Sequence, residues 1–424
     1  MVAEVQVEEQ VLLAEMEGTV MNTVHSKYET GQLLGSILFE FCCRLHWSSS
    51  LYDKKDDALL FMSRGGLRLK FLYELFLKVN GLKAAVSCQP LWISRFAALK
   101  MIFEENPELV VSCLVREFSY TSCGRLAQAL LPEQLYPDKM DLLSSLPEKL
   151  AEAPVDRTNV FNLYYDSCSY SRTLRKHFAE QHELGHDYLN REFAAFENLH
   201  VVDTGWFGSI LGALQTGCRN WNWDALYFGR WNYRAEAPWY FADVIGLFID
   251  AEGFSAPGLN NILLEYHHLL EGVLEPRLPS VEYFTADGKN NAVTDDWPER
   301  VAGTEKEEIW QGIKDYFQSR HSLELSAVLK ESTCSLNLLK RLIRYPHPAE
   351  VNCLLVPDRS ADFGKNESTA VISPTVPGCR NYWRAVNRSL WGAGTIAASG
   401  KYFIRSRQFI WQILRKYGKI KSAV

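Results

Sequence analysis

Leu199-His200-Val201-Val202-Asp203-Thr204-Gly205-Trp206-Phe207-Gly208-Ser209 is the stretch that decides how this chain is read. A short, mostly apolar run meets an acid. Two glycines and a serine then lead into a helical pattern through Ile210, Leu211 and Leu214 toward Gly217. Such a bounded run suits a strand buried on both faces. The same order occurs earlier, where Ala58-Leu59-Leu60-Phe61-Met62 is followed by Ser63-Arg64-Gly65-Gly66 and a helix over 67–79 that Asn80-Gly81 ends. Further strands are expected at 225–228 and 244–249. Strands alternating with helices predict an α/β protein with a mainly parallel, Rossmann-like sheet.

Outward from these units, residues 1–30 read as an acidic helix and connector. An α/β core is expected over 31–345, and a C-terminal segment over 346–424. Within the core, 84–155 reads as a helical insertion without clear strands, and a long helical pattern covers 160–182. The segment 281–297 is polar and turn-rich, and helices resume over 306–317 and 323–344.

Composition narrows the function classes. A net charge of −6 and a pI near 6.0 argue against a nucleic-acid partner. The 10 cysteines form no C-x-x-C pair, so a zinc ribbon or disulfide framework is not expected. The acidic start lacks the basic-then-apolar order of a signal peptide, and a cytoplasmic protein is expected. From Lys401 onward Arg405, Arg407, Arg415, Lys416, Lys419 and Lys421 alternate with aromatic and aliphatic residues, without any acid. That pattern fits a helix lying peripherally on an anionic membrane. It equally fits a final helix docked on the core with a solvated basic face.

In open α/β sheets ligands sit beyond the carboxyl ends of strands, and both glycine loops occupy that position. Gly65, Gly66, Gly205 and Gly208 let backbone approach phosphate oxygens, and the following helix starts favour an anion. Arg64 adds a charge able to grip phosphate, and Arg68 and Lys70 lie close behind it. Asp203 ends an apolar strand, which needs a partner such as Mg²⁺, a sugar hydroxyl or a helix N-terminus that it caps. Thr204 and Ser209 complete that loop. The plainer alternative makes each glycine pair a tight turn.

These loops resemble those of type I phosphoribosyltransferases, with 62–66 in the place of the pyrophosphate loop and 201–209 as a divergent ribose-phosphate loop. The closer resemblance is to divergent phosphoribosyltransferase-like glycosyltransferase modules of bacterial polysaccharide assembly. It spans roughly 30 to 400 and takes in Leu264-Glu265, Pro279-Ser280-Val281, Tyr345-Pro346-His347-Pro348, Phe363-Gly364 and Trp391-x-x-Gly394. The resemblance implies a sheet of phosphoribosyltransferase type, 5-phosphoribosyl diphosphate as donor, Mg²⁺ held by Asp203, and transfer of ribofuranose 5-phosphate to a glycan or lipid-linked oligosaccharide. A separate phosphatase would then remove the 5-phosphate. Arg64, Gly65, Gly66, Thr204, Gly205, Gly208 and Ser209 would bind the donor. Glu265, at the family position, would be the base, with His267, His268 and Glu271 as its neighbours. Gly65 stands where the family has an acid, so a lapsed, purely binding member is the alternative.

Two motifs compete. His182-Glu183-Leu184-Gly185-His186 fits the H-E-x-x-H of zinc peptidases, although Leu189 and Glu192 stand where an extended motif has Gly and His. Asp250-Ala251-Glu252 resembles the D-x-D of sugar-nucleotide glycosyltransferases.

Overall fold

The computed structural model describes residues 23–232, 238–251, 261–320, 323–360, 368–374, 379–400 and 404–416. Strands β1 (Asp57–Met62), β2 (Ser87–Leu91), β3 (Asn198–Trp206), β4 (Asn222–Trp231) and β5 (Val244–Ala251) form one sheet in the order β2-β1-β3-β4-β5. Every pairing in it is parallel. The chain is therefore α/β with an open, all-parallel, Rossmann-like sheet.

Alternation along the strands divides the core. Leu59, Phe61, Val202, Leu226 and Phe228 face one layer, and Ala58, Leu60, Val201, Ala225 and Tyr227 face the other. Helix α1 (Lys27–Ser49) and helix α2 (Gly65–Val79) cover the first face. Helix α3 (Arg95–Met101), helix α4 (Ser169–Phe193) and helix α5 (Ser209–Gly217) cover the second. The helix after β1 and the helix after β3 thus leave on opposite sides of neighbouring strands. A crevice must open between their carboxyl ends, and this is the topological switch point of the sheet.

Beyond β5, helix α6 (His267–Leu274) lies near the switch point, and helix α7 (Glu308–Ser319) packs on α1. The α1–α7 crossing is close because two glycines meet there. A Cβ on Gly31 would come 2.1 Å from the Ile309 carbonyl oxygen, and one on Gly312 would come 2.2 Å from that of Tyr28. Helix α8 (Leu325–Arg344) packs on α1 in turn. A short ribbon, β6 (Arg359–Ser360) with β7 (Ser368–Thr369), and helix α9 (Ile404–Lys416) follow.

Several boundaries differ from those read in the sequence. The 84–155 segment holds β2, whose Ser87-Cys88-Gln89-Pro90-Leu91 lacks an apolar run because it is a half-buried edge strand. The pattern over 160–182 is two helices, broken at Asp166 and restarted by Cys168, whose side chain caps Ser171; the second continues to Phe193. Strand β3 does not stop before Asp203 but stays paired with β4 as far as Trp206. Helix α9 buries Gln408 and Trp411, and Gln408 Nε2 donates to the Pro346 carbonyl at 3.1 Å. Trp391 stacks on Tyr266 with ring centroids 5.0 Å apart, so the Trp391-x-x-Gly394 element is core. Residues 1–22, Phe363-Gly364, Lys401, Lys419 and Lys421 lie outside the described residues. Among the described residues no helix is long and apolar enough to cross a membrane.

Candidate functional site

At the switch point lies a cleft of about 300 Å³. Its walls are the β1 loop (62–65), the segment 93–96 after β2, and 203–210. Tyr227 and Trp231 of β4, His267 and Glu271 of α6, and Glu275, Ser280 and Arg359 close it. Both glycine loops therefore open into one space.

The backbone at these loops is shaped for close approach. Arg64 has φ +70° and ψ −103°, a conformation that costs a residue with a side chain on the order of 1–3 kcal/mol. Ser63 anchors the turn on either side of it: its N–H donates to the Leu91 carbonyl at 2.9 Å and its hydroxyl to that of Ile93 at 2.7 Å. Gly208 sits at φ +80° as the N-cap of α5, and Gly205 at φ +132°. A Cβ on Gly205 would fall 2.1 Å from the Gly229 carbonyl oxygen, so β3 and β4 can lie side by side there only with glycine. Among the described residues, neither α2 nor α5 has an N-cap side chain bonded to its first turn. Their leading N–H groups, with the positive end of each helix dipole, suit an anion in the cleft.

Opposite these donors lies a compact charge network. Burial pushes the Asp203 carboxyl up to about 7; the Thr204 N–H and Arg64 oppose this, and Glu275 and Glu271 reinforce it. Glu271 goes the other way. Burial would raise it, but a hydrogen bond from His268 and the charges of His267, Arg359 and His268 hold it well below the usual carboxylate range. Its two oxygens accept from Trp206 Nε1 at 3.0 Å and meet His268 Nδ1 at 3.1 Å. Arg359 grips Glu275 through two hydrogen bonds of 2.6 and 2.9 Å and lies 3.4 Å from Glu271. Arg64 reaches Glu275 at 3.6 Å. Burial and the neighbouring His268 lower His267 to about 4.

The structure gathers Arg64, Gly65, Asp203, Thr204, Gly205, Gly208 and Ser209 on this cleft. Gly66 lies behind it, where a Cβ would stand 2.8 Å from the Val202 carbonyl oxygen; its role is packing α2 against β3. Asp203 is not a helix cap, because α5 starts later, at Ser209. Glu265 does not line the cleft; Arg344 holds its carboxylate from Nε at 3.0 and 3.1 Å. Arg68 is fully buried, bonded to the Val273 carbonyl and Glu307 and stacked 4.5 Å over Trp310. Lys70 pairs with Glu74. Asp250 pairs with Arg230 at 2.6 Å, and Glu252 lies outside the described residues. His182, Glu183 and His186 sit on α4, away from the cleft.

Glu275 and Arg359 are the residues that sequence reasoning missed. The spacing of His267, Glu271 and Glu275, four apart, puts all three on one face running off the end of α6, and could have separated them from Glu265. Arg359 gave no local signal, since it meets Glu275 across 84 positions of chain.

No family model matches this sequence, and no curated protein matches it.

Proposed function

We propose that the cleft binds 5-phosphoribosyl diphosphate and transfers ribofuranose 5-phosphate to a hydroxyl of a glycan or lipid-linked oligosaccharide. The observation that carries this reading is the meeting of two uncapped helix N-termini, each behind a glycine loop, over one half-buried acid at the switch point. The charges support a substrate that is anionic at one end and develops positive charge at the other, as a glycosyl donor does.

Asp203 suits Mg²⁺: burial raises its carboxyl and Glu275 and Glu271 add to the rise, a penalty that a cation relieves, and this ion typically takes one or two protein carboxylates besides substrate phosphates. When bound it would neutralise the diphosphate. In this reading the N–H groups of α2 and α5 orient the phosphates, and Arg64 moves from Glu275 onto the leaving group. Glu271, fixed by Trp206 and His268, replaces Glu265 as the group taking the acceptor proton. A weak base suffices once the hydroxyl oxygen has begun to bond to the sugar and become acidic. The enzyme would work in the cytoplasm, with the basic residues of the C-terminal segment bringing it to a membrane-borne acceptor and a separate phosphatase following it.

Diphosphate release in the presence of donor, Mg²⁺ and a panel of oligosaccharide acceptors tests this. The expected result is acceptor-dependent release that Asp203→Asn reduces by about 100-fold or more. Donor binding without release on any acceptor would favour the lapsed member, a reading that Gly65 and the engagement of both arginines by Glu275 also support.

A further inference from the structure

On the same face of the sheet as α5, but at its far end, Glu105, His182 and His186 place one potential ligand atom each within 4.8 Å of one another. Helix α5 starts at the cleft, and its last residue, Gly217, packs on Ile102. Nine residues of helix, about 13 Å, therefore separate the two regions. The cluster has a packing cause. Gly185, between the two histidines, leaves room for the Met101 side chain, which a Cβ at 185 would meet at 2.5 Å. That contact draws the end of α3 and the residues after it across the exposed edge of α4. His182 and His186, one helical turn apart, then face Glu105 with their ring centroids 4.5 Å apart.

We propose that Glu105, His182 and His186 form a zinc site, with Glu105, not Glu183, as the third ligand. Two imidazoles and one carboxylate are an established ligand set for this ion. His186 Nε2 is buried with no hydrogen-bond partner among the described residues, an unusual state for a ring nitrogen and one that a metal relieves. His182 Nδ1 lies 2.9 Å from the Met101 carbonyl, which can only accept; that contact selects the tautomer with a lone pair on Nε2. The Glu105 carboxylate lies 2.8 Å from the same Nδ1. Ligands around tetrahedral zinc stand about 3.4 Å apart, so closure from within 4.8 Å needs shifts of up to about 1.4 Å. The exposed Glu105 side chain can supply that by rotation. The side chains of His182 and Glu105 are 37% and 27% exposed, so solvent reaches the site and a water can take the fourth position.

The test uses the full chain, stripped with chelator and titrated with ZnCl₂ against a chromogenic zinc indicator. One equivalent of zinc per chain is expected, weakened about 100-fold in His186→Ala and at least about 10-fold in Glu105→Gln, and unchanged in Glu183→Gln. Cobalt(II) in the same site should give the intense visible absorption of a four-coordinate ion, absent in His186→Ala. Glu105 is exposed, so its variant decides the matter if the histidine variant fails to fold. Less than one equivalent bound, or equal affinity in native protein and Glu105→Gln, overturns the proposal.

Discussion

At the residue scale the cleft stores instability for use. An acid at about 7 in the fold and near 3.8 when unfolded binds its proton more tightly in the native state. Its contribution to stability therefore falls as pH rises from about 4 to 7 and stays low above. Asp203→Asn should melt higher than the native protein at pH 8, by on the order of 1–2 kcal/mol, and the gap should close toward pH 4. Melting curves across that range check it. His200 shows the same direction at higher pH, but by gaining stability when charged. Burial disfavours its charge, but Asp224 at 2.8 Å and Asp57 at 3.0 Å outweigh that and raise its pKa above 6.5. Its stabilisation is full below pH 6.5 and is lost as pH rises through the folded value, so His200→Gln should flatten this part of the profile. Gly205→Ala should cost about 2–4 kcal/mol in urea unfolding, since both the positive φ and the Gly229 carbonyl oppose a methyl group. Asp203 and the glycines were legible in the sequence because strand, acid and turn chemistry coincide locally. Glu275 was legible only through its spacing from His267 and Glu271, and Arg359 was not, because nothing local distinguishes a surface arginine from one that closes a site.

At the element scale, what the sequence revealed depended on burial. Strands β1 and β3 sit in the middle of the sheet, covered on both faces, and read as apolar runs. The edge strand β2 is half-solvated and carries Pro90, so its pattern resembles a loop. The break between Tyr165 and Ser169 was invisible to periodicity, because both helices keep an apolar face in register with the same core. The α1–α7 crossing was also hidden, since a lone glycine in a helix signals close contact only when its partner is known. Gly312→Val should separate these helices and lower stability by about 1–3 kcal/mol, seen as a reduced urea midpoint with an unchanged slope.

At the scale of the whole molecule, the strand order explains why the two glycine loops share one cleft. They are 140 residues apart in sequence (63 to 203), yet β1 and β3 are neighbours with helices leaving to opposite faces. That arrangement needs the tertiary pairing to be seen; the sequence carried the strands without their order. It makes the central claim open to one direct measurement: the rise in melting temperature caused by 5-phosphoribosyl diphosphate with and without Mg²⁺, in the native chain and in Asp203→Asn. A ligand that binds only the folded state must raise it. The account predicts a Mg²⁺-dependent rise in the native chain that Asp203→Asn loses although its own unliganded melting point is higher. No rise in the native chain, or an equal rise in both proteins, would contradict it.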